Sequence, residues 1–360
     1  MVEKSKIPID KQRMKRIGNL YEQIISVENL RQADKKARRG KLRTYGVQHH
    51  DKNREENIIA LHKALRDKTF RTSKYDVFTI FEPKERQIFR LPYYPDRIVH
   101  HAVMNILEPI WTKVFTYNTY SCIKKRGITA CADRVSKIIK GFNNKPLYCL
   151  KIDIKKFYPS IDHEVLKKIV RKKIKDKDLL WLLDEIIDSA EGLPIGNYLS
   201  QFLANLYLAY FMHFVNEKLH AVVGCKEALK AVEYADDIVL FADNKVDLHR
   251  ALCVIRDYLH DELKLTLKSN YQIFPIANSK VDRAGRALDY VGYKFFRFQR
   301  LLRKSIKKNF CRRVAKINKL NVSLKEYKMR ISSWLGWVKH CNGVHLLKTI
   351  IKKEYYESIL

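Results

Sequence analysis

The 360-residue chain is short of acid. Asp and Glu number 39 against 71 Lys and Arg, a formal net charge of +32. The excess is spread along the chain and not confined to a tail. That pattern points to a polyanionic partner, nucleic acid before an anionic membrane. The chain also lacks any CxxC pair, and its seven cysteines are odd in number. Both facts argue against a disulfide framework or a zinc site and for reduced thiols in a cytosolic protein. No long uncharged apolar run is present, so no membrane span is expected. The N-terminal stretch "MVEKSKIPIDKQRMKRIGNL" has no apolar core of the kind a signal peptide needs. Internal repeats and low-complexity segments are absent too. What remains is a 46% hydrophobic chain, long enough for two or three domains and a large core.

Residues 11–70 read as helices rich in Lys and Arg. "NLRQADKKARRGKLR" suits a solvated helix face or a surface on a phosphate backbone, and the sequence does not choose between them. "YDVFTIFEPKERQIFRLP" (75–92) predicts a β-hairpin. "DRIVHHAVMNILEPIW" (96–111) has helical apolar spacing, with Asp96 as the expected N-cap and His100 and His101 as packing or surface residues. "PLYCLKIDIKKFYPSIDHEVLKKIV" (146–170) predicts a strand and then a helix capped by Asp162. Alternation puts Leu147, Cys149, Lys151 and Asp153 on one strand face. "GLPIGNYLSQFLANLYLAYFMHFVNEKL" (192–219) is a Gly- and Pro-bearing loop leading into a long apolar helix. "AVEYADDIVLFAD" (231–243) predicts strand, tight turn and strand. An amphipathic helix over 245–263 follows, then strands at "LKLTLKSNYQIFPI" and "ALDYVGYKFF". The order fits an α+β domain, an antiparallel sheet with helices on one face.

Asp236 and Asp237 interrupt an apolar run, where an unpaired carboxylate is costly. Asp153 is aimed off the apolar face of its strand. If the two segments pair side by side, three carboxylates meet at one sheet edge and repel one another. Divalent cations resolve such a cluster. Mg²⁺ takes hard oxygen ligands, typically one or two carboxylates plus substrate phosphates. Two such ions about 3.5–4 Å apart stabilise the attacking and leaving oxygens of a phosphoryl displacement. An Asp-Asp pair at a turn is, by itself, ordinary turn chemistry. Beside Asp153, in so basic a chain, the metal reading is the stronger one.

These residues resemble the reverse transcriptases. "YADD" (Tyr234–Asp237) is similar to the active-site box of that family. "LKIDIKKFYPSID" (150–162) and "GLPIGNYLSQFLANLYL" (192–208) are similar to its first and second palm motifs. "RQIFRLPYYPDRIVHHAVMNILEPIW" resembles its fingers motifs, "NTYSCIKKRGITACADRV" (118–135) the segment after them, and "LDYVGYKFF" the strand near the primer end. The resemblance covers residues 75–300, in the family's order. It implies a right-hand polymerase: a basic helical extension or fingers over 1–74, fingers over 75–145, a catalytic palm over 146–300 and a short helical thumb over 301–360. It implies RNA-directed DNA synthesis with two Mg²⁺ ions and dNTP substrates. Asp153 and Asp236 would bind both metals, Asp237 would complete the set, and the Ile154 carbonyl is a further ligand. Tyr158 falls where the family carries an aromatic gate against ribonucleotides. Lys84 and Arg86 would clamp the incoming triphosphate, with Ile195, Gly196 and Gln201 under the nascent base pair. Gly292, Tyr293 and Lys268 fall where primer and template are held.

One departure narrows the resemblance. Group II intron-like enzymes carry Gln-Gly and then Ser-Pro in the second palm motif; here the residues are Ile195-Gly196 and Ser200-Gln201. Ile195 loses an amide, and Gln201 regains an N–H. The Ile-Gly-x-x-x-Ser-Gln pattern resembles reverse transcriptases of diversity-generating retroelements. That likeness implies copying of a template-repeat RNA with errors opposite its adenines, retrohoming into a target gene, a small basic oligomeric accessory protein, and a bacterial or phage-encoded enzyme in the cytoplasm, without a membrane partner. The end of the chain near 360, with no endonuclease or maturase domain, suits this family better than a mobile intron protein. Where many relatives carry a lysine after "LKLTL", this chain has Tyr271, with Lys268 as the substitute. A retron or group II intron-like enzyme of ordinary fidelity is the alternative. An RNA-binding protein on a retained palm, or a nucleotide cyclase, fits the carboxylate set and fingers motifs less well. The last 60 residues hold 15 Lys plus Arg against 3 Glu, which as a thumb would grip duplex phosphates in a salt-sensitive way. Trp334 and Trp337 there are expected in helix packing.

Overall fold

The computed structural model describes residues 15–81, 85–225, 229–320 and 322–359. Helix and sheet are mixed, and the chain divides into two compact units. The first holds the chain through Tyr117, Ile154–Phe214 and Ile255–Lys268; the second holds Asn118–Asp153, Val215–Val254 and Ser269–Leu360. Each is therefore assembled from segments distant in sequence. None of the described helices is long and apolar enough to cross a membrane.

The first unit begins with four helices, α1 (Tyr21–Ile25), α2 (Val27–Ala37), α3 (Tyr45–Asp51) and α4 (Arg54–Arg66). Ser26 caps α2 by accepting from the Asn29 amide. Strands β1 (Asp76–Ile80) and β2 (Arg86–Arg90) form the expected hairpin, antiparallel with Asp76 opposite Arg90. Helix α5 (Ile98–Thr112) follows, but Asp96 does not cap it. The Asp96 carboxylate is buried and accepts instead from the Ser73 amide at 2.9 Å. A tertiary donor has replaced the local one, which a sequence pattern cannot show.

The second unit is built on a five-stranded sheet. Its strands are β3 (Thr119–Tyr120), β4 (Tyr148–Asp153), β5 (Lys230–Tyr234), β6 (Asp237–Ala242) and β7 (Gln272–Pro275), in the order β3-β5-β6-β4-β7. All neighbours are antiparallel except the short β3, which runs parallel to β5, so the sheet is mixed at one edge. Between β3 and β4 lies α6 (Ile128–Gly141).

The first unit continues after β4 with α7 (His163–Arg171), α8 (Lys177–Ile187) and α9 (Tyr198–Glu217). Asp162 caps α7 as expected, accepting from the Val165 amide at 2.9 Å. Helix α9 is the long apolar helix read from the sequence; it ends in the second unit, just before the one-turn α10 (Leu219–Val222). Helix α11 (Lys245–Asp261) likewise passes from the second unit into the first.

Two expected strands differ. "LKLTL" makes only an isolated bridge, Leu267 to Ile154. "ALDYVGYKFF" is not one strand but a hairpin, β8 (Leu288–Tyr290) and β9 (Tyr293–Phe295), joined by Val291 and Gly292. Both turn residues have positive φ, 39° and 84°, the type I′ pattern that matches strand twist. With β10 (Arg300–Leu302) they form a second, three-stranded sheet.

The core of the second unit joins the two sheets to α6 and to the terminal helices α12 (Lys304–Asn318), α13 (Leu324–Val338), α14 (Val344–Ile350) and α15 (Lys353–Ile359). Cys149, Val232, Val239 and Phe241 of the main sheet belong to it. Trp334 stacks on Phe310 at 5.9 Å and Trp337 packs on Tyr293 at 5.3 Å, so both indoles are in helix packing. Leu150, Ile152, Ile238 and Leu240, on the opposite face of the main sheet, are also buried. The sheet is thus covered on both faces, not one. In β6 only the first residue, Asp237, is not buried.

Candidate active site

That uncovered end carries the carboxylates. In register, Asp153 of β4 lies directly opposite Asp237 of β6, which puts their Cβ atoms about 5 Å apart on one face. Tyr234 pairs with Asp237, so Ala235 and Asp236 are the two turn residues. Ala235 has φ 55° while Asp236 does not have positive φ, the pattern of a II′ hairpin turn. The tight turn keeps Asp236 at the same end of the sheet as the Asp153–Asp237 pair. The Tyr290 hydroxyl donates to the Asp237 carbonyl at 2.8 Å and anchors this end of β6 to β8.

The electrostatics follow from crowding. Burial raises the Asp237 carboxyl above its usual range; Lys151 opposes the rise, and Asp153 and Asp236 add to it. Oδ1 of Asp237 is buried and has no hydrogen-bond donor among the described residues; its cationic neighbour is Lys151 Nζ at 3.4 Å. Lys151 also donates to the Asp289 carbonyl at 2.9 Å. It lies two residues before Asp153 and therefore on the same face. Alternation in the sequence showed that shared face, but not that the amine reaches a carboxylate on the next strand.

Among the described residues, no three or more His, Cys, Asp or Glu side chains stand together so as to hold a metal ion by themselves. The set is open instead. Hard carboxylate oxygens, one of them buried without a donor, suit a Mg²⁺ ion that draws the rest of its shell from substrate phosphates.

Residues 82–294, more than half the chain, match the family described as reverse transcriptase (RNA-dependent DNA polymerase). The chain belongs to the reverse transcriptase family. Curated relatives include protein YkfC of Escherichia coli K12, 24% identical over 55% of this chain and 63% of that one. The retron Ec73 reverse transcriptase of Escherichia coli is 29% identical over 45% of this chain and 52% of its own. The group II intron-encoded protein LtrA of Lactococcus lactis is 26% identical over 45% and 28%. The chain thus spans less than two thirds of the length of each of these relatives.

In this reverse transcriptase chain the residues expected around the nucleotide lie in the first unit, apart from those that fall outside the described residues. Lys84 is one of the latter. Arg86 opens β2 and is exposed. Three residues on, the Phe89 amide donates to the Ile195 carbonyl at 2.9 Å, tying the loop before α9 to the hairpin. Gly196, at φ 121°, lies against this strand: an added Cβ would come within 3.1 Å of the Phe89 carbonyl oxygen. The Tyr158 carbonyl accepts from Leu193 at 2.9 Å, and Gly192 at φ 59° makes that approach possible, since a Cβ there would meet Tyr158 O at 2.5 Å. Backbone contacts thus tie the loop that carries Ile195 and Gly196 to β2 at Phe89 and to Tyr158, with Arg86 at the far end of β2 and Gln201 in the first turn of α9.

The residues expected at the primer divide between the units. Ile154, the residue after β4, is bridged to Leu267, and Lys268 follows directly on that bridge. Gly292 forms the β8–β9 turn, where an added Cβ would meet the Trp337 ring at 2.5 Å. The Tyr293 side chain is in the core, its hydroxyl donating to the Trp337 carbonyl at 3.1 Å. Gly292 is buried as well, and its carbonyl accepts from the Arg303 amide at 3.0 Å, so neither the Tyr293 ring nor the Gly292 carbonyl is open to a ligand.

Proposed function

We propose that this chain is an RNA-directed DNA polymerase, and that within its family it works as a diversity-generating retroelement enzyme. The observation that carries the first part is the register that sets Asp153 opposite Asp237 with Asp236 in the adjoining turn. Bound Mg²⁺ ions would supply charge neutralisation at the attacking and leaving oxygens. Asp153 and Asp236 would hold them, with the Ile154 carbonyl as a further ligand and Asp237 completing the set. The growing strand and template would lie across fingers, palm and thumb in the boundaries given above. Arg86 and Lys84 would orient the triphosphate, Tyr158 would exclude a ribose 2′ hydroxyl, and Lys268 would hold the primer end.

The retroelement reading rests on Ile195 and Gln201. An aliphatic side chain in place of an amide removes a hydrogen-bonding group from the loop under the base pair and loosens the hold on template adenine. A small basic oligomeric accessory protein is the expected partner. The likeness to LtrA and the retron enzyme favours a second reading, an enzyme of ordinary fidelity making a fixed cDNA. Primer extension on a defined RNA separates the possibilities. Wild type should make cDNA with substitutions concentrated opposite adenine, and Ile195→Gln should lower that bias. An even error spectrum would leave the polymerase and remove the retroelement role. An Asp236→Asn protein that extends primers normally would remove the metal role given to Asp236, and a wild type that makes no cDNA would remove both readings.

A further inference from the structure

One peptide group in the first unit, the bond between Gly192 and Leu193, is held at both of its ends. Its N–H, on Leu193, donates to the Tyr158 carbonyl at 2.9 Å. Its C=O, on Gly192, lies 2.8 Å from Nε2 of His163. A carbonyl oxygen can only accept, so Nε2 carries a proton and His163 is the donor. That side chain belongs to the first residue of α7, directly after the Asp162 cap. Gly192 and Leu193 are buried, so loss of the imidazole would leave the carbonyl unsatisfied.

His163 is itself held. Asp188, at the C-cap of α8, stands on the other ring nitrogen, with Oδ1 3.2 Å from Nδ1. The second Asp188 oxygen accepts from Lys167 Nζ at 2.7 Å. Lys167, Asp188 and His163 thus line up behind one peptide. Such a relay costs rotamer freedom in three side chains for a single backbone contact. Helix α7 does not need it as a cap, since Asp162 already accepts from the Val165 amide. Beyond the peptide lies Tyr158, whose carbonyl takes the next bond and whose half-buried ring stands edge-on to the buried Phe157 at 5.7 Å. The same loop runs on to Ile195, whose carbonyl is fixed by the Phe89 amide.

We propose that His163 is a positioning residue for sugar selection: it clamps the Gly192–Leu193 peptide, and through that peptide keeps Tyr158 against the sugar of the incoming nucleotide. The proposal rests on the reading of Tyr158 as the gate against a ribose 2′ hydroxyl; the chain of hydrogen bonds does not depend on it. A gate that works by contact rejects a hydroxyl only while its wall cannot yield. The Tyr158 carbonyl also accepts from Ile161 within its own turn, but at 3.4 Å, so the Leu193 bond is the shorter hold. Pro159, next in the turn, has no N–H to add. The Gly192 backbone packs directly on this turn, where an added Cβ would meet Pro159 Cα at 2.7 Å. A shift of the clamped peptide is therefore passed to Tyr158 without a side chain between them to absorb it.

The test is single-nucleotide primer extension with a dNTP and the matching rNTP, read as the ratio of their kcat/KM values. His163→Leu should lower that ratio by about tenfold, the order of one buried hydrogen bond, through better use of the rNTP. His163→Gln, whose amide N–H can still reach the Gly192 carbonyl, should keep most of the ratio. Asp188→Ala should lower it less than His163→Leu, because the donor remains and only its orientation is loosened. A general folding defect slows both substrates alike and leaves the ratio where it was, so the ratio reads position and not stability. Tyr158→Val separates the clamp from the gate. If Tyr158→Val collapses the ratio while His163→Leu keeps it, the clamp is overturned and the gate stands. If Tyr158→Val keeps the ratio, the gate reading is overturned and the proposal with it. A His163→Gln ratio as low as that of His163→Leu would also overturn the clamp, since the donor would then be immaterial. Should His163→Leu fail to fold, an Asp188→Ala ratio equal to wild type overturns the proposal in its place.

Discussion

Asp34 in the first unit and Asp237 in the second are both acids placed among apolar neighbours, and they are treated in opposite ways. The Asp34 side chain is fully buried. Arg38 Nη2 donates to both its oxygens at 3.0 Å, Arg54 Nε at 2.7 Å, and the Tyr93 hydroxyl makes a further short bond. His50 stands 3.4 Å away. Burial alone would raise its pKa, but His50, Tyr93, Arg38 and Arg54 outweigh it and hold the carboxyl well below the usual range. Asp237 keeps one oxygen buried with a single amine nearby and two more aspartates beside it, and its pKa is raised. A satisfied buried carboxylate organises a fold. An unsatisfied one at a sheet end stores electrostatic repulsion that a cation can relieve.

The comparison can be broken most directly by removing each charge. Asp237→Asn should cut primer extension by about a thousandfold or more, through loss of metal-centred charge stabilisation, while the thermal midpoint stays within a few degrees of wild type. Retained activity would mean that the repulsion at the sheet end serves no chemistry. Asp34→Asn should do the reverse. It removes the charge that Arg38 and Arg54 share, leaving Arg38 to Asp51 at 2.7 Å, and should lower unfolding free energy by about 1.5–3 kcal/mol in denaturant titration. With its pKa depressed in the fold, Asp34 contributes stability above the unfolded-chain value, and that contribution is lost as pH falls through the folded value. The variant should therefore lose part of the wild type's acid sensitivity.

Glu233 sharpens the contrast on the same sheet. It is buried, one oxygen accepts from the Thr119 hydroxyl at 2.9 Å, and the other has no partner among the described residues. Burial pushes its pKa up to about 8, with Thr119 opposing. Between the unfolded-chain value and 8 the folded protein holds a proton that the unfolded chain releases, so stability falls as pH rises through that window. Glu233→Gln should flatten the decline by up to about 1 kcal/mol per pH unit. Denaturant midpoints at three pH values would show this, and an unchanged slope would mean that the buried acid is not protonated. The smallest effect is expected at Lys151. Lys151→Met removes a cation from beside Asp237, so the half-saturating Mg²⁺ concentration in primer extension should fall by roughly threefold. A rise would show that the amine positions Asp237 more than it competes for it.

Much of this was legible in the residues. The alternation in 148–153 fixed which face Asp153 takes, and "ADD" between two apolar runs announced a hairpin with carboxylates at its turn. The Asp162 cap and the apolar helix after Gly192 were equally plain, because each depends on neighbours within a few positions. Other features depended on distant partners. Asp96 turned from a cap to a tertiary acceptor because Ser73 reached it first. "ALDYVGYKFF" read as one strand because Val291 is a poor turn residue; only the packing of Gly292 against Trp337 makes the turn necessary. Arg286 and Arg303 carried no signal among so many basic residues, and only the fold sets Arg286 over the Phe274 ring and ties Arg303 to Asp289.

By itself the sequence determined the local periodicities, the caps and the tight turn, and with them the residues able to carry the chemistry. Those follow from backbone geometry that acts over a few residues. Tertiary structure alone decided that residues 153 and 237 would be opposite one another, that Lys151 would reach between strands, and which buried acid would be surrounded by donors and which crowded by other carboxylates. Pairing register and burial are set by contacts between segments tens of residues apart, and no local pattern encodes the electrostatic field they create.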